Sequence, residues 1–148
     1  MKLPLTGGCP CGAIRYVIST APIDVYACHC TDCQRSTSSA FSIGVVVPNG
    51  AFEATGKDPR SVPGGIADSG RAKFRWTCPN CGVWLFGNPR LGTKSPGMVR
   101  VIRAATLDDT SWVRPTTHYW TRSAQPWVNL DGILHETQPD IAAQVHRR

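Results

Sequence analysis

The chain has 148 residues, 41% hydrophobic and 18% charged, which fits one domain with a real core, so that metal is an addition to the fold rather than a substitute for it. Its 14 glycines and 12 prolines favour short strands and turns over long helices, and no run approaches the ~20 apolar residues of a membrane span. The net charge of +6 suits anionic partners.

The N-terminus, Met1-Lys2-Leu3-Pro4-Leu5, is too short and too soon broken for a signal peptide, so a cytoplasmic location is expected. Ile14, Tyr16 and Ile18 alternate with Arg15, Val17 and Ser19, the period-two pattern of a half-buried strand. Phe41, Ile43, Val45 and Val47 repeat it, and Pro48-Asn49-Gly50 closes that run as a turn. Residues 59–70 contain Pro63-Gly64-Gly65 and are expected to form an exposed loop. Lys73-Phe74-Arg75-Trp76 alternates again, residues 98–103 are β-rich, and residues 118–121 are aromatic and β-branched. Leu107-Asp108-Asp109 is expected to start a turn or a short 3₁₀ piece, and residues 144–148 to fray. The expected fold class is all-β, one domain over residues 1–148 with few or no helices and with cysteines at strand ends and turns.

Seven cysteines fall into three groups: Cys9-Pro10-Cys11, Cys28-His29-Cys30-Thr31-Asp32-Cys33 and Cys78-Pro79-Asn80-Cys81. An odd count cannot pair fully within one chain, and a reducing compartment favours metal ligation over disulfides. Cys-Pro-x-Cys-Gly is a zinc-knuckle pattern, in which Gly82 permits the backbone angles that aim amides at sulfur. Zinc takes four tetrahedral ligands, so Cys9, Cys11, Cys78 and Cys81 are read as one closed, structural site. Cys28, Cys30 and Cys33 are then left as three ligands for a second zinc. Its fourth position falls to water, substrate or another side chain, with His29 expected to point away along an extended backbone. An inert cluster or a labile disulfide is the alternative for these three. A thiolate-rich zinc acidifies bound water weakly, which disfavours hydrolysis and suits a substrate sulfur held as thiolate.

The charge is concentrated between Lys57 and Arg103, where nine basic residues face only Asp58 and Asp68. Such a segment attracts a carboxylate-bearing small molecule or a nucleic acid, or is a solvated face. It has no basic helix and no dense run of Lys and Arg interleaved with aromatics, so nucleic acid is the less expected partner.

Gly8-Cys9-Pro10-Cys11-Gly12, Cys28-His29-Cys30-Thr31-Asp32-Cys33-Gln34-Arg35 and Arg75-Trp76-Thr77-Cys78-Pro79-Asn80-Cys81-Gly82 resemble the glutathione-dependent formaldehyde-activating enzyme family, which also includes centromere protein V. The stretch His118-Tyr119-Trp120-Thr121-Arg122-Ser123-Ala124-Gln125-Pro126-Trp127 is similar to its C-terminal region. The resemblance covers a core of about residues 6–127. It implies a β-tent of antiparallel sheets with the same division of cysteines: a structural zinc on Cys9, Cys11, Cys78 and Cys81, a catalytic zinc on Cys28, Cys30 and Cys33, two per chain. The implied activity is that of a carbon–sulfur lyase, which reversibly joins formaldehyde and glutathione to give S-hydroxymethylglutathione.

On that expectation a substrate thiol, glutathione or another anionic thiol, ionises at the open zinc and adds to an aldehyde carbon. Arg35 is either the holder of a substrate carboxylate or a surface charge. Gln34 and the run Ser36-Thr37-Ser38-Ser39 are hydrogen-bond donors to a developing alkoxide, or an ordinary polar loop. His118 is either a proton shuttle or structural. Trp120 and Trp127 are either core or pocket wall, or take part in binding. The competing reading is a non-catalytic zinc module that binds nucleic acid or protein through the basic segment. Exposed strand edges leave room for a homodimer.

Overall fold

In the computed structural model, which describes residues 1–66, 72–87 and 98–137, the chain folds into two β-sheets and one short helix. Strands β1 (Leu5–Gly8), β2 (Ile14–Ile18) and β5 (Phe52–Gly56) form an antiparallel three-stranded sheet. A larger sheet of eight strands runs β11 (Ile133–His135), β10 (Thr117–Tyr119), β3 (Asp24–Cys28), β4 (Ser42–Pro48), β9 (Val99–Arg103), β8 (Trp84–Gly87), β7 (Ala72–Thr77), β6 (Arg60–Ile66). The fold is therefore all-β, as the alternation predicts. The implied antiparallel pattern is broken at one end, where β10 pairs parallel with both β3 and β11. The long connections entering and leaving β10 allow this, since a parallel pair cannot be joined by a tight hairpin.

The period-two pattern explains what is buried. In β2, Ile14, Tyr16 and Ile18 are at most 1% exposed while Arg15 and Val17 face outward. They pack with Val45 and Val47 of β4, Leu85 and Phe86 of β8 and Ile102 of β9, forming a core between the two sheets. Each fully buried aliphatic or aromatic side chain contributes roughly 1.5–3 kcal/mol. Cys9 and Cys78 belong to this same core. A second cluster, Tyr26, Cys28, Val46, Val99, Val101 and Tyr119, covers part of the large sheet, with Cys30 and Cys33 packed against it.

Two expectations are corrected. Residues 60–66 form strand β6 and not a loop, paired with β7 through a register shift between Pro63 and Ile66. β6 ends the sheet among the described residues, so proline's missing N–H costs no ladder bond on its open side, and the shift absorbs the glycines. The 3₁₀ turn lies at Ala104–Thr106, just before Leu107. The frayed tail predicted for residues 144–148, and Arg71, Arg90 and Lys94 of the basic segment, lie outside the described residues.

The helix α1 (Thr31–Thr37) follows directly on Cys30, whose sulfur accepts from the Cys33 amide as an N-cap. Ser36 and Thr37 turn their hydroxyls back onto the Asp32 and Cys33 carbonyls, and Ser38 closes the helix in the left-handed region at φ 51°. Gly44 of β4 pairs with Tyr26 of β3. A Cβ there would lie 2.6 Å from the Tyr26 ring, so the ring crosses β4 only because residue 44 is glycine.

Candidate metal centre

The sulfurs of Cys9, Cys11, Cys78 and Cys81 lie within 4.8 Å of one another. Cys9 and Cys11 follow β1, and Cys78 and Cys81 lie in the turn between β7 and β8. The two turns are built alike. Gly12 donates to the Cys9 carbonyl and Gly82 to the Cys78 carbonyl, and both glycines take left-handed angles, φ 73° and 74°. The amides of Cys81 and then Asn80 point at the Cys78 sulfur, which lowers its pKa against the effect of burial. The Ile14 amide donates to the Cys9 sulfur at 3.2 Å. Sulfur separations are 3.4 Å for Cys9–Cys11 and 3.6 Å for Cys11–Cys78. A tetrahedron with Zn–S of ~2.3 Å has edges of about 3.8 Å, so the donor set fits zinc closely.

Cys28, Cys30 and Cys33 form the second cluster of sulfurs within 4.8 Å. Cys28 ends β3, Cys30 caps α1 and Cys33 lies in its first turn. All seven cysteines are free thiols. Three thiols held this close share protons unequally. Hydrogen bonds from Cys28 and then Cys30 stabilise the Cys33 thiolate, while Cys28 is driven upward by the same contacts and by burial. A cation would let all three ionise together, so this set also fits a metal.

Two residues not singled out by sequence support Cys33. The buried Ser42, opposite Cys28 in the β3–β4 ladder, lies close enough to favour the Cys33 thiolate, and the positive charge of Arg103 adds to the effect. Arg103 is buried, with its guanidinium 4.3 Å over Trp84 and one nitrogen on the Ile43 carbonyl. Nothing in their local sequence distinguishes them, since the ladder of β3, β4 and β9 brings them near the cluster.

His29 does point away from the cluster. It is fully buried, and its Nε2 lies 2.9 Å from Nδ1 of His118. Burial, then the neighbouring His118, lower the His29 pKa. His118 pairs with Ala27 and Tyr119 with Cys28, so His118 lies on the opposite sheet face from Cys28. Gln34 spends its amide N–H groups on the carbonyls of His29 and Ser123, at 2.7 and 2.9 Å. It braces the loop and is not free to donate elsewhere.

Arg35 is exposed and lines an open depression of about 530 Å³ with Gln34, Ser38, Ser39, Ala40, Gln125 and Trp127. Trp127 is 72% exposed and donates to Gln125 at 2.7 Å. Trp120 packs against the second core cluster, with Arg122 over its ring. The basic segment is not a uniform cationic face. Arg75 and Arg103 lie over Trp84, Arg100 lies over Phe52 and Phe86, and Lys73 pairs with Asp32 of α1.

Two cysteine clusters on an all-β scaffold, one closed and one with three donors, define a protein competent to bind two metal ions. The chain matches the family described as glutathione-dependent formaldehyde-activating enzyme (GFA) over residues 4–123, and it belongs to that family. Among its curated relatives are fungal proteins that carry this enzyme name provisionally. That of Talaromyces marneffei is 29% identical over 108 residues, 72% of this chain and 55% of the relative. That of Sordaria macrospora is 28% identical over 91 residues, 57% and 37%. That of Phaeosphaeria nodorum is 32% identical over 79 residues, 53% and 40%. The matched part of this chain thus spans between about a third and just over half of these relatives' lengths. A crystal structure of a Rhodobacter sphaeroides protein shares the fold, with a TM-score of 0.51 at 18% identity, covering 70% of this chain and 87% of that one. Among the described residues, no helix is long and apolar enough to cross a membrane.

Proposed function

We propose that this protein is a zinc-dependent carbon–sulfur lyase that joins formaldehyde to glutathione, or an aldehyde to a similar anionic thiol, and catalyses the reverse cleavage. The observation that carries this reading is the three-cysteine cluster: three donors where a tetrahedral ion takes four, one of them, Cys33, on the same helix as the exposed Arg35 that lines a depression. Zinc bound there would supply a positive centre at which a substrate sulfur is held as thiolate, its nucleophilic form.

The chain's own residues then have separable roles. Cys28, Cys30 and Cys33 hold the ion. Arg35 binds a substrate carboxylate from the depression, and the exposed Trp127 offers a flat wall beside it. Gln34 fixes the helix that carries both Cys33 and Arg35. His118 acts through His29, not on the reacting atoms. In the forward direction one C–S bond forms, the carbonyl π pair moves to oxygen, and the oxygen gains a proton as the thiol loses one. The reaction needs no redox partner. The closed cluster of Cys9, Cys11, Cys78 and Cys81 would hold a second zinc that clips the small sheet to the β7–β8 turn. A homodimer would use β6 or β11, the edge strands of the large sheet among the described residues.

The test mixes protein, glutathione and formaldehyde and follows exchange of the thiohemiacetal methylene by NMR. The expected result is exchange faster than in the protein-free mixture. No acceleration would sink the formaldehyde–glutathione reading.

A further inference from the structure

Deep in the described structure, two imidazoles meet at a distance that requires one to donate. His29 Nε2 and His118 Nδ1 are 2.9 Å apart, with the rings 19° from parallel and Phe41 5.3 Å from His29. Both residues are buried, and His29 Nδ1 has no hydrogen-bond partner. That orphan atom decides the tautomer. If His118 donated, neutral His29 would carry its proton on Nδ1, a buried N–H with nothing to bond. If His29 were doubly protonated, the same N–H would be orphaned. Such a donor carries its full desolvation penalty, whereas a bare ring lone pair is the lesser loss. The arrangement that leaves no buried N–H unpaired has His29 donating from Nε2 and His118 accepting at Nδ1, with the His118 proton on its own Nε2.

His29 lies between Cys28 and Cys30, and its main chain is tied as firmly as its ring. Its amide donates to the Tyr119 carbonyl at 2.9 Å, and its carbonyl accepts from Gln34 at 2.7 Å. The ring bond is the third tether, and it joins the same residue to the same strand, β10, from the far face of the sheet. We propose that the His29–His118 hydrogen bond is a positioning device: it locks the peptide between Cys28 and Cys30 onto β10, so that the two sulfurs are held where Cys33 can complete a metal-binding set. This rests on reading the three cysteines as a metal site. Neither histidine is a ligand or a catalytic residue in this role.

Two measurements test it. In the ¹⁵N-labelled, zinc-loaded protein, long-range ¹H–¹⁵N correlation should find both His29 and His118 in the Nε2–H tautomer. His29 protonated on Nδ1 would overturn the proposal. A graded chelator challenge then reads the two zinc ions separately, with Cys28→Ser marking the four-cysteine site alone. Loss of such an outer hydrogen bond typically lowers metal affinity 10- to 100-fold. His29→Leu and His118→Leu should release the first zinc at roughly 10- to 100-fold less chelator, with the second zinc unmoved. His29→Gln places an amide nitrogen where Nε2 was, and His118→Asn places an oxygen where Nδ1 was. Both should restore most of the loss, which a purely space-filling role would not predict. Wild-type retention in both leucine variants overturns the proposal, as does glutamine behaving like leucine. If a leucine variant fails to fold, the tautomer and the two conservative variants still decide. A wild-type protein that holds only one zinc would defeat the metal reading first and this proposal with it. Two zinc ions with insensitive variants would defeat this proposal alone.

Discussion

Cys30 and Cys81 are both cysteines two or three residues from a second sulfur, yet their loss should have different consequences. Cys81 completes a cluster whose partners Cys9 and Cys78 sit in the core between the sheets. Apparent binding free energies of structural zinc, about 10–16 kcal/mol, match or exceed a domain's whole stability of about 5–15 kcal/mol. Cys81→Ala should therefore unfold the chain by circular dichroism. Cys30→Ala should leave the fold intact, remove one zinc and abolish activity; equal unfolding of both variants would refute the division of labour. Arg35 lies in the depression and outside the clusters, so Arg35→Ala should raise KM for an anionic thiol about 10-fold, the scale of one charged hydrogen bond, with kcat nearly unchanged. Cysteine spacing separates the two clusters without coordinates, because short spacings leave sulfurs few places to go. Ser42, Arg103 and the partner of His29 are not legible in the same way, since each meets the site through a neighbouring strand.

Among the elements, β4 shows how one position can limit a strand. Gly44→Ala would push a Cβ into the Tyr26 ring, and the resulting overpacking should cost about 1–3 kcal/mol in denaturant unfolding. Gly82→Ala meets no atom within 4 Å and suffers only its φ of 74°, so its cost should be nearer ~1 kcal/mol. The small sheet is also tied to the loop after β9 by the Asp108 carboxylate, which accepts from Arg15 and Thr6. Arg15 first, then Thr6, hold the Asp108 pKa below its ordinary 3.8. A carboxylate lowered on folding stabilises the native state above its unfolded pKa and stops doing so as pH falls through the folded value. Asp108→Asn should therefore lower Tm slightly at pH 7, by about 1–2 °C for so exposed a pair, and the difference should shrink as pH falls below 3.8 through the lowered native value. Alternation revealed β2, β4 and β7 directly. β6 was hidden by Pro63-Gly64-Gly65, whose local preference for a turn is overridden by pairing with β7.

For the whole molecule, the order in which metal leaves is the broadest test. Mild chelation should remove one zinc and the activity while near-ultraviolet circular dichroism persists, and harsher chelation should remove the second together with tertiary structure. Simultaneous loss of both ions would contradict one closed and one open site. Patterning by itself pointed to an all-β protein, cysteine spacing split the seven sulfurs into a group of four and a group of three, and the motifs around them carried the resemblance to the family. These features are local: a period of two, or sulfurs a few residues apart, carries its meaning within one segment. The tertiary structure decided the parallel placement of β10, the burial of His29 against His118, the approach of Ser42 and Arg103 to Cys33, and the stacking of Arg75, Arg100 and Arg103 of the basic segment on aromatic rings. Each of these depends on residues distant in sequence whose meeting is set by strand order, and strand order follows from how the two sheets jointly bury their apolar faces.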